Sequence, residues 1–123
     1  MMRVNVSRVP KMPDNHPLLV VVRDLMFSSK IIAEARAQNI EVKIIRDPAK
    51  LQAEPGKRLF ADLNQPGVIE AAAAWKSSTG GQVVGFVSHV DTPTIAQAKQ
   101  AGLDRILARS QFTAQLAELI RNP

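Results

Sequence analysis

The stretch RLFADLNQPGVIEAAAAWKSS, residues 58–78, contains the unit from which the fold of this chain is predicted. Its first five residues, RLFAD, form a short and mostly apolar run, which is typical of a strand buried in a sheet. A Pro-Gly pair then turns the chain. After the turn, Val68, Ala72 and Trp75 recur at the spacing of one helix face. The stretch therefore predicts a strand, a short loop and a helix, with the carboxylate of Asp62 where the strand ends.

The same alternation continues through the rest of the chain. Short apolar runs predict four more strands, PLLVVV, EVKII, QVVGFVS and DRILA, at residues 17–22, 41–45, 82–88 and 104–108. Helical spacing predicts further helices at residues 27–39, 92–102 and 112–120, with at most two helical turns between 47 and 57. Thr92 is expected to cap the helix that begins at Pro93. Strict alternation with short connections predicts one α/β domain, residues 17–121, with an open, doubly wound sheet of five parallel strands.

Composition excludes several classes of protein. A chain of 123 residues suits a single domain, and the lack of cysteine excludes disulfides, thiolate catalysis and Cys-based metal sites. The longest apolar run, Leu18 to Val22, is too short to span a membrane. Residues 1–16 contain prolines and basic residues without the apolar stretch of a secretory signal, so they are expected to form a flexible lead-in. A cytoplasmic protein is the simplest expectation.

The net charge of +5 raises the question of a nucleic-acid partner. The basic residues are scattered, and one tryptophan, four phenylalanines and no tyrosine leave few rings to stack on bases. A solvated basic surface is therefore favoured, and nucleic acid is not the expected partner. The alternative that stays open is a doubly wound domain that binds a small anionic ligand or nucleic acid through this surface. Nucleic-acid binding would fall steeply with added salt.

Polar side chains follow four of the predicted strands. Because ligands of open parallel sheets bind beyond the carboxyl ends of the strands, these residues are the candidates for a functional site. They are Arg23 and Asp24, Asp62 and Asn64, Ser88 and His89, and Arg109. Two acids, a hydroxyl and a cation are thus expected at one edge of the sheet.

Two enzymatic interpretations of this edge fail. Ser88 and His89 are adjacent on a strand and project to opposite faces, so they do not form a hydrolytic triad with Asp62. The loop after the first strand, RDLMFSS, lacks the glycines that let a backbone approach the phosphates of a nucleotide or flavin. No enzymatic activity is predicted.

In their order and spacing, these residues resemble those of a response-regulator receiver domain of two-component signalling. The resemblance covers essentially all of residues 17–121. It rests on the acid after the first strand, the D-L-N-x-P motif, the hydroxyl that ends the fourth strand, the QAG before the fifth, and the basic and aromatic residues after it: Asp24, Asp62 to Pro66, Ser88, Gln100 to Gly102, Arg109 and Phe112. A flavodoxin-like sheet in strand order 2-1-3-4-5 is therefore predicted, with a core that includes Leu19, Val21, Ile44, Leu59, Val84, Phe86 and Ile106.

The resemblance also implies a function. Receivers accept a phosphoryl group from a histidine kinase, and Asp62 resembles the acceptor aspartate. Asp24 and Asp62, together with Asn64, resemble the residues that bind Mg²⁺, and Ser88 and Arg109 resemble those that hold the phosphoryl oxygens. The segment 92–121 corresponds to the face through which receivers dimerise or meet downstream signalling proteins.

Four departures predict an atypical receiver. Arg23 stands where a second metal-binding acid is expected, and Arg109 replaces a lysine. The corner RSQF lacks the usual proline, and the helix after Asp62 begins soon after the Pro-Gly pair. Arg23 either faces Asp62 and Asp24 and takes the electrostatic place of Mg²⁺, or it points away and pairs with a surface acid. His89 would narrow access to Asp62. Mg²⁺ binding is therefore doubtful and phosphorylation is expected to be weak or lost. The chain is predicted to be a stand-alone module whose output comes through a partner.

Overall fold

Five strands alternate with helices in the computed structural model, which describes residues 16–88 and 91–121. The strands are β1 (Leu18–Val21), β2 (Val42–Ile45), β3 (Arg58–Asp62), β4 (Gln82–Val87) and β5 (Arg105–Ala108). All pairings are parallel, in the order β2-β1-β3-β4-β5. This confirms the predicted sheet. The predicted lead-in lies, apart from His16, outside the described residues.

Three of the described helices begin at an aspartate whose side chain accepts a backbone amide: Asp24, Asp47 and Asp91. The helices are α1 (Leu25–Ala37), the 3₁₀ helix Pro48–Ala53, α2 (Val68–Thr79), α3 (Thr92–Gln100), α4 (Arg109–Ala114) and α5 (Leu116–Arg121). The predicted Thr92 cap was wrong, because the Asp91 side chain accepts the Thr94 amide and caps α3. The last helix begins three residues before Phe112 and is interrupted at Gln115. The structure thus divides the predicted C-terminal helix into two short ones.

Two apolar layers enclose the sheet. One layer holds α1, α4 and α5, and its centre is a cluster of the four phenylalanine rings Phe27, Phe60, Phe86 and Phe112, whose neighbouring centroids lie 4.6–5.8 Å apart. The other layer holds the 3₁₀ helix, α2 and α3 around the buried Trp75. Within the described residues, no helix is both long and apolar enough to cross a bilayer.

The predicted core is correct in the central strands and partly wrong at the edges. Leu19, Val21, Leu59 and Phe86 are buried. In contrast, Ile44, Val84 and Ile106 pack against the core but remain half-buried. Strands β2 and β5 are the edges of the sheet, so Ile44 and Ile106 have a neighbouring strand on one side only. Val84 lines a surface groove with Leu119. The buried positions are Ile45 in β2 and Val83, Gly85, Phe86 and Val87 in β4.

Candidate functional site

An ion pair between Asp24 and Arg109 lies at the carboxyl edge of the sheet. Asp24 caps α1, and its Oδ1 accepts a hydrogen bond from the Phe27 amide at 3.0 Å. Its Oδ2 accepts a second bond from Nη2 of Arg109 at 2.8 Å. The Arg109 guanidinium also lies over the Phe27 ring, 4.0 Å from the centroid, a cation–π arrangement. The Arg109 bond, and after it the Phe27 amide, lowers the pKa of Asp24. Both carboxylate oxygens of Asp24 are therefore engaged.

Asp62 ends β3 beside this ion pair. Its Oδ1 accepts the Asn64 amide at 3.0 Å, and its side chain is half-buried. Burial raises the pKa of Asp62, because the carboxylate loses water, and the negative charge of Asp24 adds to that effect. The Asn64 amide and the positive charge of Arg109 lower the pKa of Asp62 in part. Asp62, Asp24 and Arg109 thus share one electrostatic environment.

Asn64 connects β3 to β4 and α3. Its Oδ1 accepts two hydrogen bonds from Ser88, one from the amide at 2.6 Å and one from the hydroxyl at 2.8 Å. Its Nδ2 donates to Oδ2 of Asp91 at 3.2 Å. Asp91 was not predicted from the sequence as part of this edge, although an acid before Thr-Pro is itself a signal of a helix cap. The structure brings Asp62, Asn64, Ser88 and Asp91 together at one edge.

Arg23 forms no ion pair with these acids. Its side chain is exposed, and its carbonyl oxygen accepts a hydrogen bond from Nη1 of Arg46 at 3.2 Å. Across residues 16–88 and 91–121, no ion pair joins the Arg23 side chain to an acid. The cation that bonds to Asp24 is Arg109, and the role of Arg23 as a modifier of the pocket stays a prediction. His89 lies outside the described residues.

These side chains offer a Mg²⁺ ion few oxygens that are free of hydrogen bonds. Such an ion takes oxygen ligands, mainly from carboxylates and water. Both oxygens of Asp24 are engaged, and the side-chain oxygen of Asn64 already accepts both bonds from Ser88. The described part of the chain contains no cluster of three or more acidic or histidine side chains that could hold a metal ion. Arg109 would have to leave Asp24 before both carboxylates could face a cation.

Replacing Asp62 with asparagine should stabilise the protein near pH 7. The raised pKa of Asp62 means that its charged form is less favourable in the folded chain than in the unfolded one. This cost is present above the folded pKa and disappears as the pH falls below the ordinary value of 3.8. Urea unfolding of both proteins between pH 7 and pH 3.5 should show a stability difference that shrinks with falling pH. A difference that grows with falling pH would contradict the raised pKa.

Comparison with known proteins identifies the fold. The sequence matches no protein-family model, and no curated protein matches it. The structure is similar to a CheY-like response regulator receiver domain protein from Methanospirillum hungatei JF-1, at 17% identity, 86% coverage of this chain, 90% of that chain and a TM-score of 0.74.

Two further similar structures contain a divalent ion. A response regulator from Burkholderia pseudomallei carries a phosphorylated aspartic acid, a calcium ion and citrate, and it matches at 16% identity, 88% and 75% coverage of this chain and of that chain, and a TM-score of 0.67. The Mn²⁺-bound form of the response regulator Rcp1 matches at 19% identity, with 86% coverage of this chain, 89% coverage of that chain and a TM-score of 0.66. At such identities the likeness establishes architecture. This chain has the flavodoxin-like fold of response-regulator receiver domains.

Proposed function

We propose that this chain is a receiver-like signalling module of a two-component or phosphorelay pathway, with Asp62 at the position of the phosphoacceptor. The observation that carries the proposal is the half-buried Asp62 at the carboxyl end of β3, beside the Asp24–Arg109 ion pair and linked through Asn64 to Ser88. Ligands of this fold class bind at that edge. Signalling then takes place through contacts with other proteins, without enzymatic turnover of a small molecule.

Phosphorylation of Asp62 would be a direct transfer. An oxygen of Asp62 attacks the phosphorus of a phosphohistidine on a kinase, the phosphorus–nitrogen bond breaks, and the imidazole keeps the electron pair and takes up a proton. Arg109 and the Ser88 hydroxyl are the groups that would hold the phosphoryl oxygens. Both groups already donate hydrogen bonds within the protein, Arg109 to Asp24 and the Ser88 hydroxyl to Asn64. With Arg23 in place of a second acid as well, we propose that the transfer is weak or lost.

The proposal includes the partners of the module. A histidine kinase is the expected donor, and a downstream signalling protein is the expected recipient of the signal, in the cytoplasm. The described residues 92–121, which form α3, β5, α4 and α5, are the proposed surface for that recipient or for a second copy of the chain. The net charge of +5 is, in this proposal, a property of the solvated surface.

The acceptor is tested in a variant designed to accept phosphate readily. The double variant Arg23→Asp/Arg109→Lys, here called the two-acid variant, supplies a second acid after β1 and a lysine after β5. Incubation with acetyl phosphate and Mg²⁺ should add the mass of one phosphoryl group to most molecules. Adding Asp62→Asn to the two-acid variant should abolish the adduct. Adding Asp47→Asn should leave it, because Asp47 is an exposed acid that follows the neighbouring strand β2. An adduct that survives Asp62→Asn would refute Asp62 as the acceptor.

A further inference from the structure

The Ser88 hydroxyl has a partner inside the protein. A serine hydroxyl carries one proton to donate, and that proton is directed to Oδ1 of Asn64 at 2.8 Å. The Ser88 amide donates to the same oxygen at 2.6 Å. A phosphoryl group on Asp62 presents only acceptor oxygens when it is fully ionised, so it needs a donor from Ser88. Asn64 and a phosphoryl group would therefore compete for one proton.

The same asparagine extends to the start of α3. Its Nδ2 donates to Oδ2 of Asp91, which also accepts the Thr94 hydroxyl at 2.7 Å, while Oδ1 of Asp91 caps the Thr94 amide at 3.2 Å. The backbone amide of Asn64 in turn donates to Oδ1 of Asp62. One side chain and its backbone thus link the carboxylate of Asp62 to the end of β4 and to the first turn of α3.

We infer that Asn64 is a positioning residue that acts as an internal acceptor in the place of a phosphoryl oxygen. It holds Ser88 and the first turn of α3 in one conformation without phosphorylation. The inference deepens the proposed function, because it makes α3 part of a signalling surface that Asn64 keeps fixed. Its chemical basis, an amide oxygen that accepts both Ser88 donors, does not depend on whether Asp62 accepts a phosphoryl group.

Hydrogen exchange of individual amides, measured by NMR on the full chain without a phosphodonor, tests the inference. In Asn64→Ala, the Ser88 and Thr94 amides should exchange roughly five- to thirtyfold faster than in the native chain, the factor that one to two kcal/mol of local stability represents. Gln97→Ala is the matched control, since it removes another exposed side-chain bond of α3, to Glu70, and should leave both amides unchanged.

Two more variants separate positioning from general loosening. Asn64→Asp keeps an acceptor for Ser88 but loses the donor to Asp91. Exchange of the Ser88 amide should therefore stay slow, while exchange of the Thr94 amide becomes fast. In Asn64→Ala/Ser88→Ala, the exchange of the Thr94 amide should be no faster than in Asn64→Ala. The reason is that Asn64→Ala already breaks the contact with the Ser88 hydroxyl that Ser88→Ala removes. Unchanged exchange in Asn64→Ala, or additive effects in the double variant, would overturn the inference. Failure of Asp62 to accept phosphate in the two-acid variant would leave these rates as expected and would count only against the proposed function.

Discussion

Replacing Phe86 with alanine should lower the free energy of unfolding by about 3–5 kcal/mol. Phe86 is 1% exposed near the carboxyl end of β4. Its ring lies 5.0 Å from that of Phe27 and 4.6 Å from that of Phe112, centroid to centroid. Truncation leaves a cavity among rings that are themselves fixed by the sheet and by α1 and α4. Urea denaturation measures the loss.

Val84→Ala is the control for this substitution. Val84 lies two residues earlier on β4 and points to the same layer, but it is half-buried beside a surface groove. It should cost clearly less than Phe86→Ala, because less apolar surface is withdrawn from water. An equal cost at the two positions, or an unchanged midpoint in Phe86→Ala, would show that the strand is placed incorrectly.

The two-acid variant should bind Mg²⁺ at least about tenfold more tightly than the native chain, a difference of roughly 1.4 kcal/mol. The native edge offers Asp24 only as half of an ion pair, with Arg109 at 2.8 Å. Lysine at this position is a compact charge on a flexible stem and releases the carboxylate more readily than the planar guanidinium. Aspartate in place of Arg23 adds a further oxygen ligand. Isothermal titration calorimetry with MgCl₂ compares the two proteins.

A charge-matched variant makes this comparison specific. Arg46→Asp/Arg109→Lys has the same net charge as the two-acid variant, and Arg46 directly follows β2 as Arg23 follows the apolar run of β1. It should bind Mg²⁺ less tightly than the two-acid variant. Equal affinities would mean that the added negative charge, and not a ligand after β1, attracts the ion.

The fold could be predicted from the sequence because local patterns determine it. A run such as PLLVVV has apolar residues at consecutive positions, which only a strand covered on both faces can bury, and all of Leu18 to Val22 are buried. The residues that follow each strand must then meet at one edge. Asp24, Asp62, Ser88 and Arg109 were found there for that reason.

The pairing of side chains within the site could not be predicted in the same way. Arg23 is next to Asp24 in the chain, yet the cation that reaches Asp24 is Arg109, which comes from the far end of the sequence and is held over Phe27. The direction of a side chain at the end of a strand depends on such tertiary contacts. The role of Asn64 was missed for a related reason, since its partners Ser88 and Asp91 lie in another loop.

We propose above that Asp62 is the acceptor position of a receiver whose phosphorylation is weak. The most direct measurement is the intact mass of the native chain after incubation with acetyl phosphate and Mg²⁺, with the two-acid variant treated in parallel. Most native molecules should keep their original mass while the two-acid variant gains one phosphoryl group. A native chain that gains a phosphoryl group at Asp62 in most molecules would show that its phosphorylation is not weak.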